Sequence, residues 1–536
     1  MEPCVLFEDE HLLVANKPAG MNTHAPSPYA GEGIYEWLKH RESGRNQLAI
    51  IHRLDKETSG VIVFGKTTQA NRSLTDQFSS RAVRKRYLLL SDRKPRSREL
   101  IVRSKITRAG DRYVSRADGE IAETRFKPGE FDPGVPNVFV LEAEPLTGRT
   151  HQIRVHAAEN GFPILGDVLY GGSSFHRVCL HAAELCFRHP ADNREMTFRA
   201  PVDFRRSNSI CLREGIIDPE QTDAYRIVHG ASDSEPGWYV ERLGQNLLSQ
   251  SATELSASRR KWLFDELNRN RAGGGSIRSV YHKILNRQVR RASVGEVSPQ
   301  LVLGDPAPET FVVRENGMRY ELSFKEGYSV GIFLDQRDNR RRLLTGHVAS
   351  GFDLNHKADG TGSREVLNAF AYTCAFSVCA ARAGARVTSL DLSKKYLDWG
   401  RRNFALNGID PGEHDFIYGD VFDWFRRLAR KGRRFDTIIL DPPTFSQSKE
   451  SGVFRVEKDY GKLVSLALAL LRENGVLLAS TNAADWEPKS FVETVLKSIA
   501  SEKRRVLQQH YVPQPPDFPV SRQEPAYLKT FWLRIA

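Results

Sequence analysis

Cysteine is scarce in this sequence of 536 residues, and its six copies form no recognisable cluster. They are Cys4, Cys179, Cys186, Cys211, Cys374 and Cys379. No pair is spaced as Cys-x-x-Cys, and no group of cysteine and histidine has the spacing of zinc ligands. A disulfide-rich secreted scaffold and a zinc centre are both disfavoured, so we expect no metal and reduced thiols in a cytoplasmic compartment.

Long apolar runs are also missing. No stretch approaches the ~20 consecutive apolar residues that a membrane-spanning helix needs. The N-terminus carries acidic residues such as Glu2, Glu8 and Asp9 where a signal peptide has a basic start and an unbroken apolar segment. We therefore expect neither secretion nor a membrane partner.

The excess of positive charge is modest, since Lys+Arg 78 against Asp+Glu 66 gives a net charge of +12. Such an excess suits a polyanionic partner without requiring one. The cationic runs at 259–261, 340–342 and 431–434 are consistent with solvated helix faces as well as with contacts to nucleic acid. The chain is too long for one hydrophobic core and predicts three or four domains, which fits a fusion of separate enzymes.

The sequence divides into regions with different patterns of predicted strands and helices. Residues 1–208 show short β-type runs with few helices, which predicts an α+β domain built on antiparallel sheet. A polar linker at 209–223 and a small α+β central domain at 224–310 follow, the latter with one clear helix at 256–269. The run Gly273 to Gly275 lacks the flanking residues of a phosphate-binding loop and is interpreted as an ordinary loop. In the first domain the predicted strands are 60–64, 87–90, 137–141 and 196–199, and the predicted helices are 68–81 and 151–160.

From 311 to 536 strands and helices alternate, which predicts an α/β Rossmann-like domain with a parallel, doubly wound sheet. The ligands of such sheets bind at the carboxyl ends of the strands. No Gly-x-Gly-x-x-Gly follows the first strand, which weakens the alternative of an NAD-dependent oxidoreductase. The polar segment 346–363 is predicted to be a mobile insertion. The predicted strands are 366–368, 386–390, 415–417, 437–440 and 476–479.

Two N-terminal segments contain most of the candidate catalytic and RNA-binding residues of the first domain. Residues 51–60, Ile-His-Arg-Leu-Asp-Lys-Glu-Thr-Ser-Gly, put Asp55 in a basic turn before an apolar strand, and residues 148–156 are dense in cations and amide donors. By itself Asp55 would be read as a turn or helix-capping aspartate. With the motifs at 16–20, 85–87 and 163–167, and with His181 and His189-Pro190, the region of about residues 4–203 resembles the RluA family of pseudouridine synthases.

This resemblance implies isomerisation of a uridine in RNA, without metal or cofactor. Asp55 matches the catalytic aspartate, a nucleophile towards the sugar C1′ or the uracil ring. Arg154 matches the arginine that forms an ion pair with it, and an adjacent guanidinium favours the ionised carboxylate. Tyr87 matches the aromatic residue that packs on the base and handles a proton.

The target base has to be unpaired or flipped out of a helix before it can react. Arg53 matches the side chain that fills the vacated stack, whereas Arg149 is interpreted as a phosphate contact. Gln152 is a further candidate RNA-binding residue in the same segment. Since family-like sequence starts within the first few residues, we expect no RNA-binding domain before the catalytic part and look to the C-terminal half for any accessory RNA contact.

The C-terminal half places acidic residues where a nucleoside cofactor would bind. Asp391 ends one predicted strand, where a carboxylate accepts ribose hydroxyls, and Asp420 follows the next strand near the expected adenine amino group. The turn Asp441-Pro442-Pro443-Thr444-Phe445 follows the fourth strand. Its carboxylate and carbonyl groups accept hydrogen bonds from a base amino group, and Phe445 is placed to stack on the base and bind RNA.

Residues 224–536 resemble class I methyltransferases of large-subunit ribosomal RNA, of the RlmI and RlmK type. The segments 327–337 and 367–373 match the family's opening motif and first cofactor loop, which implies S-adenosylmethionine as cofactor. The residues that the resemblance adds to the cofactor site are Phe333, Asp335, Arg337, Asn368 and Tyr372.

Two positions refine this prediction. Cys374 stands where the family usually has a glycine that lets the backbone approach the cofactor, so cofactor affinity is the property in question. Methylation at cytosine C5 needs a cysteine nucleophile, but no cysteine follows Cys379 and the relevant region contains Asn482. We therefore favour a nitrogen acceptor, with a guanine ring nitrogen as the first choice, and interpret Cys374 and Cys379 as core thiols.

The leading hypothesis is thus a bifunctional enzyme that modifies ribosomal RNA, with 23S rRNA or a pre-50S particle as partner. One alternative keeps pseudouridine synthesis alone and assigns the methyltransferase-like half to RNA binding. Another places the substrate of the first domain in transfer RNA.

Overall fold

The computed structural model describes residues 2–269, 277–285, 298–327, 329–354, 363–448 and 452–536. It contains two compact units, an N-terminal unit of residues 1–26 and 32–218 and a C-terminal unit of residues 27–31 and 219–536. The boundary at 218–219 falls within the predicted linker, although residues 208–216 form a helix there. Across the described ranges, no helix has the length and apolar character to cross a membrane.

The N-terminal unit is built on one large sheet, as predicted. Its order is β1-β2-β4-β10-β5-β9-β8-β6-β7, with β3 paired to β4 and β11 to β10. The paired strands are antiparallel except for β4 and β10. The strands are β1 Val5–Glu8, β2 Leu12–Lys17, β3 Ala49–Ile50, β4 Ser59–Gly65, β5 Arg84–Ser91, β6 Leu100–Ala109, β7 Arg112–Ser115, β8 Glu120–Pro128, β9 Phe139–Pro145, β10 Leu180–Arg188 and β11 Glu195–Arg199. The helices are α1 Ile34–Lys39, α2 Thr68–Ser79, α3 Gln152–Glu159 and α4 Asn208–Ile216.

The C-terminal unit contains two principal sheets. Its helices are α5 Ala257–Arg269, α6 Arg337–Thr345, α7 Ala375–Arg382, α8 Lys394–Leu406, α9 Val421–Arg430, α10 Val456–Leu468 and α11 Pro488–Ser501. Its strands are β12 Ala224–His229, β13 Trp238–Leu243, β14 Asn246–Ser251, β15 Ser279–Ile284, β16 Gln300–Gly304, β17 Phe311–Glu315, β18 Met318–Leu322, β19 His347–Ala349, β20 Phe352–Asp353, β21 Glu365–Ala369, β22 Arg386–Asp391, β23 Asp415–Tyr418, β24 Phe435–Leu440, β25 Phe445–Ser448, β26 Gly452–Arg455, β27 Leu471–Thr481, β28 Val506–Val512 and β29 Lys529–Ile535.

The seven-stranded sheet carries the predicted Rossmann-like core. Its order is β23-β22-β21-β24-β27-β29-β28, and all five predicted strands lie in the parallel part from β23 to β27. The prediction of a fully parallel sheet is wrong at one end, because β29 runs antiparallel to both β27 and β28. No helix separates β28 from β29, so the chain returns through a loop and pairs in the opposite sense.

The predicted central domain forms its own five-stranded sheet, β12-β13-β14-β15-β16. Helix α5 covers one face, where Leu263 and Leu267 pack with Trp238, Val240 and Val280. The predicted helix at 256–269 is therefore confirmed to within a residue. The predicted loop at Gly273 to Gly275 lies outside the described residues.

Two other predictions change with the structure. Residues 347–353 of the predicted insertion form the β19–β20 hairpin, while residues 355–362 lie outside the described part of the chain. The cationic run 340–342 is buried on α6, so it is neither a solvated face nor a nucleic-acid contact. Arg340 forms a two-point ion pair with Glu315 at 2.6 and 2.7 Å.

Candidate active sites

A cavity of about 1330 Å³ in the N-terminal unit gathers all six residues predicted for RNA chemistry there. The loop before β4 contributes Asp55, the first half of β5 contributes Tyr87, and the segment entering α3 contributes its cations. Residues 99 positions apart in sequence, Asp55 and Arg154, thus face one space. The six residues are Arg53, Asp55, Tyr87, Arg149, Gln152 and Arg154.

Lys17 stabilises the loop that carries Asp55 through hydrogen bonds to backbone carbonyl groups. This lysine is fully buried, and its ammonium donates to the carbonyl oxygens of Pro18 and Met21 at 2.9 and 2.6 Å and of Lys56 at 3.3 Å. Burial lowers the pKa of Lys17 to about 7, against the opposing charges of Glu57 and Asp55. The Asp55 side chain itself remains 24% exposed to the cavity.

The expected ion pair between Asp55 and Arg154 is not formed, which corrects the sequence prediction. Arg154 donates to Asp167 from Nε at 2.7 Å and from Nη2 at 2.8 Å, and both side chains are buried. A buried guanidinium binds a carboxylate best in this two-point geometry, and Asp167 supplies it at the short separation of 13 residues. Within the described residues, the basic side chain that lies within 4.0 Å of Asp55 is His151, through Nε2.

Tyr87 lies on β5 opposite Ala143 of β9, and its ring lines the cavity. Burial, together with the negative charge of Asp55, holds the pKa of the Tyr87 phenol well above its usual value. The phenol therefore stays protonated at neutral pH, so it is suited to donate a proton or hydrogen bond rather than to act as a base.

The three RNA-binding candidates differ in availability. Arg53 is exposed at the cavity wall, and Arg149 is half-exposed, donating to the Ile121 carbonyl at 3.1 Å and pairing with Glu120. Gln152 is buried and does not fit the predicted role. Its Oε1 accepts from Thr147 and from the backbone of Arg149, and its Nε2 donates to β8, so this amide anchors the loop that contains Arg149.

Three residues that the sequence prediction did not assign belong to this site: His151, Asp167 and Tyr170. Tyr170 Oη lies 2.8 Å from His151 Nδ1, and the Arg154 guanidinium lies over the Tyr170 ring, 5.0 Å from its centroid. Asp167 and Tyr170 bracket a 3-10 turn at Val168–Tyr170, and the sequence signal was the Gly-Asp pair at 166–167.

In the C-terminal unit, Asp391 lies at the carboxyl end of β22 and organises the neighbouring loop. Its carboxylate accepts from the backbone N–H of Tyr372 and of Ser393, each at 2.8 Å. Burial raises the pKa of Asp391. The loop coils tightly, since Phe370, Tyr372 and Cys374 all have left-handed φ angles, of 61°, 48° and 64°. This cradle at a strand end fits the ribose part of a nucleoside cofactor.

The side chain of Cys374 turns towards α8. A Cβ atom built on Gly400 would lie 2.3 Å from Cys374 Sγ and 2.8 Å from Cys374 Cβ, so the missing side chain of Gly400 makes room for the thiol. Cys374 and Cys379 are both buried, in agreement with the predicted core thiols.

Beside this cradle lies a cavity of about 270 Å³ with aromatic walls. Its lining includes Phe370, Phe422, Phe454 and Asp420, and Asp420 also caps α9 by accepting from the Asp423 N–H at 3.0 Å. Aromatic walls with carboxylates, here Asp420 and Asp459, fit a purine that carries an amino group. Asp391 at the cradle and Asp420 in the cavity are the residues predicted from the sequence to hold the adenosine part of S-adenosylmethionine, and these roles stay predictions.

Two of the residues predicted to bind the cofactor have their polar groups committed elsewhere. Arg337 is buried and forms a two-point ion pair with Asp517 at 2.8 and 2.5 Å. The buried amide nitrogen of Asn368 donates to Ser377 Oγ at 2.9 Å. Neither side chain lines the aromatic cavity described above.

Aromatic rings connect the cofactor loop with the opening motif. The ring of Tyr372 lies 5.3 Å from that of Phe333, which is 44% exposed, and 4.6 Å from that of Tyr396. Tyr328, also part of the predicted opening motif, lies outside the described residues.

The acceptor side of this site contains two carboxyl groups. The Gln336 amide donates to Asp441 at 3.1 Å and to Ser480 Oγ at 2.8 Å, which joins the ends of β24 and β27. Burial, with the negative charge of Asp335 second, raises the pKa of Asp441 to about 6. Burial also raises the pKa of Asp335.

The predicted base-binding turn continues into a hairpin. Pro442 is buried and Pro443 is exposed, and Phe445 begins β25, where it pairs with Arg455 of β26. Phe445 is partly exposed beside the carboxyl end of β24, and its predicted role in stacking on a base stays a prediction.

Comparison with known proteins agrees with two enzyme domains in one chain. The signature described as S-adenosylmethionine-dependent methyltransferase matches residues 245–534, more than half of the chain, and the signature described as RNA pseudouridylate synthase matches residues 11–159. The chain therefore belongs to the S-adenosylmethionine-dependent methyltransferase family and also carries an RNA pseudouridylate synthase domain. Both resemblances inferred from the sequence are confirmed, and the cofactor of the C-terminal domain is S-adenosylmethionine.

Individual relatives fall into the same two classes. A ribosomal RNA large subunit methyltransferase of Deinococcus radiodurans is 33% identical over 59% of this chain and 73% of its own length. Ribosomal RNA large subunit methyltransferase K of Neisseria meningitidis is 37% identical over 40% of this chain, and the match covers 54% of that protein's own length. Ribosomal large subunit pseudouridine synthase C of Yersinia pestis is 38% identical over 37% of this chain and 66% of its own length.

A solved structure supports the C-terminal fold. The candidate methyltransferase SMU.776, crystallised with S-adenosylhomocysteine, superposes with a TM-score of 0.51 at 32% identity, covering 61% of this chain and 79% of that one. The likeness extends over the central and Rossmann-like parts together, since 61% of this chain exceeds the length of either part alone.

Proposed function

We propose that this protein modifies large-subunit ribosomal RNA twice, converting a uridine to pseudouridine in the N-terminal unit and methylating a base in the C-terminal unit. The observation that carries the proposal is the presence of two separately built sites in one chain. Asp55 and Tyr87 share one cavity, and Asp391, Asp420 and Asp441 lie at the carboxyl ends of β22, β23 and β24 along one edge of the sheet in the other unit. The names of the relatives support ribosomal RNA as the substrate.

In the N-terminal unit, Asp55 is the nucleophile that attacks the sugar C1′ or the uracil ring. The reaction breaks the bond from C1′ to the base nitrogen, forms a bond from C1′ to C5, and releases the C5 hydrogen as a proton. Tyr87, protonated beside the carboxylate, donates a hydrogen bond and supports the displaced ring. At the cavity wall, Arg53 fills the space that the flipped base leaves in the RNA stack, and Arg149 contacts a phosphate.

In the C-terminal unit, S-adenosylmethionine supplies the methyl group, and the protein aligns donor and acceptor. Asp391 orders the 370–374 loop and accepts the ribose hydroxyls, while Asp420 meets the adenine amino group. The carboxylate of Asp441 accepts from the amino group of the target base, and Phe445 stacks on the ring. Gln336 fixes the orientation of Asp441 through its hydrogen bond.

A guanine ring nitrogen is the proposed acceptor. Carbon-5 methylation of cytosine needs a thiolate, and the sequence has no cysteine after Cys379. The end of β27 offers Ser480, whose hydroxyl bonds to Gln336. A ring nitrogen attacks through its own lone pair and needs no covalent adduct with the protein, which fits these residues.

The alternative of a non-catalytic C-terminal unit depended on Cys374. Because the thiol points into α8, it does not occupy the cofactor cradle, and this orientation favours a unit that binds S-adenosylmethionine. We place the protein in the cytoplasm, with 23S rRNA or a pre-50S particle as its partner.

The test is mass spectrometry of nucleosides from ribosomal and transfer RNA of a deletion strain, before and after incubation with the purified protein and S-adenosylmethionine. Gain of one pseudouridine and one methylated guanosine in 23S rRNA is the expected result. Pseudouridine alone would assign the C-terminal unit to binding, and gain only in transfer RNA would overturn the ribosomal substrate.

A further inference from the structure

The contacts around Asp55 point to a residue that orients the nucleophile. His151 Nε2 lies 4.0 Å from Asp55 Oδ2, and within the described chain no nitrogen of another basic side chain comes as close to this carboxylate. The Arg154 guanidinium binds Asp167 through one edge, Nε and Nη2, and does not come within 4.0 Å of the Asp55 carboxylate. His151 is therefore the candidate for a side chain that sets the direction of the Asp55 carboxylate.

The backbone holds His151 in an unusual conformation. Its φ of 56° lies in the left-handed region, which few non-glycine residues adopt unless the surroundings enforce it. His151 directly precedes α3, and the buried Gln152 beside it is anchored by four hydrogen bonds to Thr147, to the Arg149 backbone and to β8. The imidazole is thereby directed into the cavity instead of along the helix.

The proton positions of the imidazole follow from its hydrogen bonds. Tyr170 Oη accepts from the backbone N–H of Tyr113 at 2.8 Å, and its other contact is His151 Nδ1, also at 2.8 Å. For the part of the chain that the structure describes, Nδ1 is the protein acceptor available to the Tyr170 hydroxyl proton. If Nδ1 accepts that proton, the ring proton of neutral His151 is on Nε2, the nitrogen that faces Asp55.

The electrostatic surroundings favour the neutral ring. Burial lowers the pKa of His151, and the positive charge of Arg154 acts in the same direction against the opposing effect of Asp55. A neutral Nε2–H donor orients a carboxylate without neutralising it as a full ion pair would. A movement of about 1 Å would bring the two atoms to ordinary hydrogen-bond distance.

We propose that His151, fixed in its Nε2–H form by Tyr170, is a positioning residue that orients the Asp55 carboxylate towards the uridine. The inference rests on the proposed pseudouridine synthesis and adds to it a relay from Tyr170 through His151 to Asp55. Arg154 and Asp167 have a supporting role in this arrangement, because the Arg154 guanidinium packs over the Tyr170 ring.

The experiment measures single-turnover release of tritium from 23S rRNA transcribed with uridine tritiated at C5, since pseudouridine formation expels that hydrogen. The full-length variants His151→Phe, His151→Gln and Tyr170→Phe are compared with wild type and with Asp55→Asn. His151→Phe should lower the maximal rate roughly 10- to 100-fold, the effect of losing a hydrogen bond to a charged group, with RNA affinity within about twofold of wild type.

Rescue by the conservative variant separates positioning from structural support. Glutamine places an amide N–H near the position of Nε2, so His151→Gln should recover to within about fivefold of wild type. Tyr170→Phe should slow the wild-type enzyme about 3- to 10-fold but have no further effect on His151→Phe, since both act through one contact.

Two results would overturn the inference: a His151→Phe rate within twofold of wild type, or glutamine and phenylalanine variants that are equally slow although both retain the wild-type unfolding midpoint. An absence of tritium release from the wild-type protein would instead refute the proposed function itself. The two failures are therefore distinguishable in one set of reactions.

Discussion

Replacing Gly400 with alanine should destabilise the C-terminal unit by about 1 to 2 kcal/mol, although alanine is the better helix former. The added Cβ would lie 2.3 Å from Cys374 Sγ and 2.8 Å from Cys374 Cβ. Rotation of the thiol cannot relieve the second contact, so the backbone of the cofactor loop or of α8 has to shift. Overpacking of this kind costs about 1 to 3 kcal/mol, against a gain of about 0.5 to 1 kcal/mol from helix propensity.

The sign of the effect should reverse in a Cys374→Gly background. Glycine removes both clashing atoms and also accepts the left-handed φ of 64° without the ~1 kcal/mol strain of a side chain. Gly400→Ala should then stabilise the unit by about 0.5 to 1 kcal/mol, giving a coupling energy of about 2 kcal/mol between the two positions.

Calorimetry of the four proteins measures this coupling. The transition of the C-terminal unit is identified as the one that S-adenosylhomocysteine shifts upwards, and about 1 kcal/mol corresponds to roughly 2 to 4 °C for a unit of this size. Affinity for S-adenosylmethionine should change by less than about threefold in Cys374→Gly, because the thiol points away from the cradle. Equal effects of Gly400→Ala in both backgrounds would refute the reasoning.

Three further predictions follow from the sites. Asp55→Ala should abolish pseudouridine and leave methylation intact, with Asp441→Ala as the reciprocal control; nucleoside mass spectrometry that shows loss of both products in either variant would contradict independent sites. Because the pKa of Asp441 is raised to about 6, the methylation rate should fall about tenfold per pH unit below that value as the carboxylate protonates. A methylation rate that does not fall at acid pH would exclude Asp441 as the acceptor of a hydrogen bond from the base amino group. Arg154→Leu leaves the buried Asp167 without its partner and should lower the free energy of unfolding of the N-terminal unit by about 3 kcal/mol. The double variant Arg154→Leu/Asp167→Leu should recover part of this loss. An unchanged thermal midpoint in Arg154→Leu would show that the ion pair adds little to stability.

Residues that are functional because of their local motif were predictable from the sequence. Asp55, Tyr87 and Arg53 stand in ordered motifs, and the structure brings all three to one cavity. Asp391, Asp420 and Asp441 follow predicted strands, and the rule that ligands bind at strand ends placed them at one edge. Their catalytic and binding roles remain predictions.

Side-chain partners were less predictable, because they depend on where distant segments meet. The sequence paired Arg154 with Asp55, whereas the fold brings Asp167 to the guanidinium and leaves His151 beside Asp55. Gln152 and Arg337 were assigned as ligand contacts from the motifs that contain them, yet both are buried and satisfied by partners from other elements. The antiparallel end of the seven-stranded sheet was missed for a similar reason, since strand direction there depends on a loop without periodicity.

The arginines of α6 bear on how strongly this protein responds to salt. Arg337, Arg340 and Arg342 count towards the formal charge of +12, but they are buried, two against carboxylates and the third, Arg342, against the carbonyl oxygens of Asp338 and Val348. Cations that are enclosed in this way displace no counterions from a phosphate backbone. The steepness with which RNA affinity declines as ionic strength rises is therefore set by the exposed arginines and lysines, and the formal net charge is a poor guide to it.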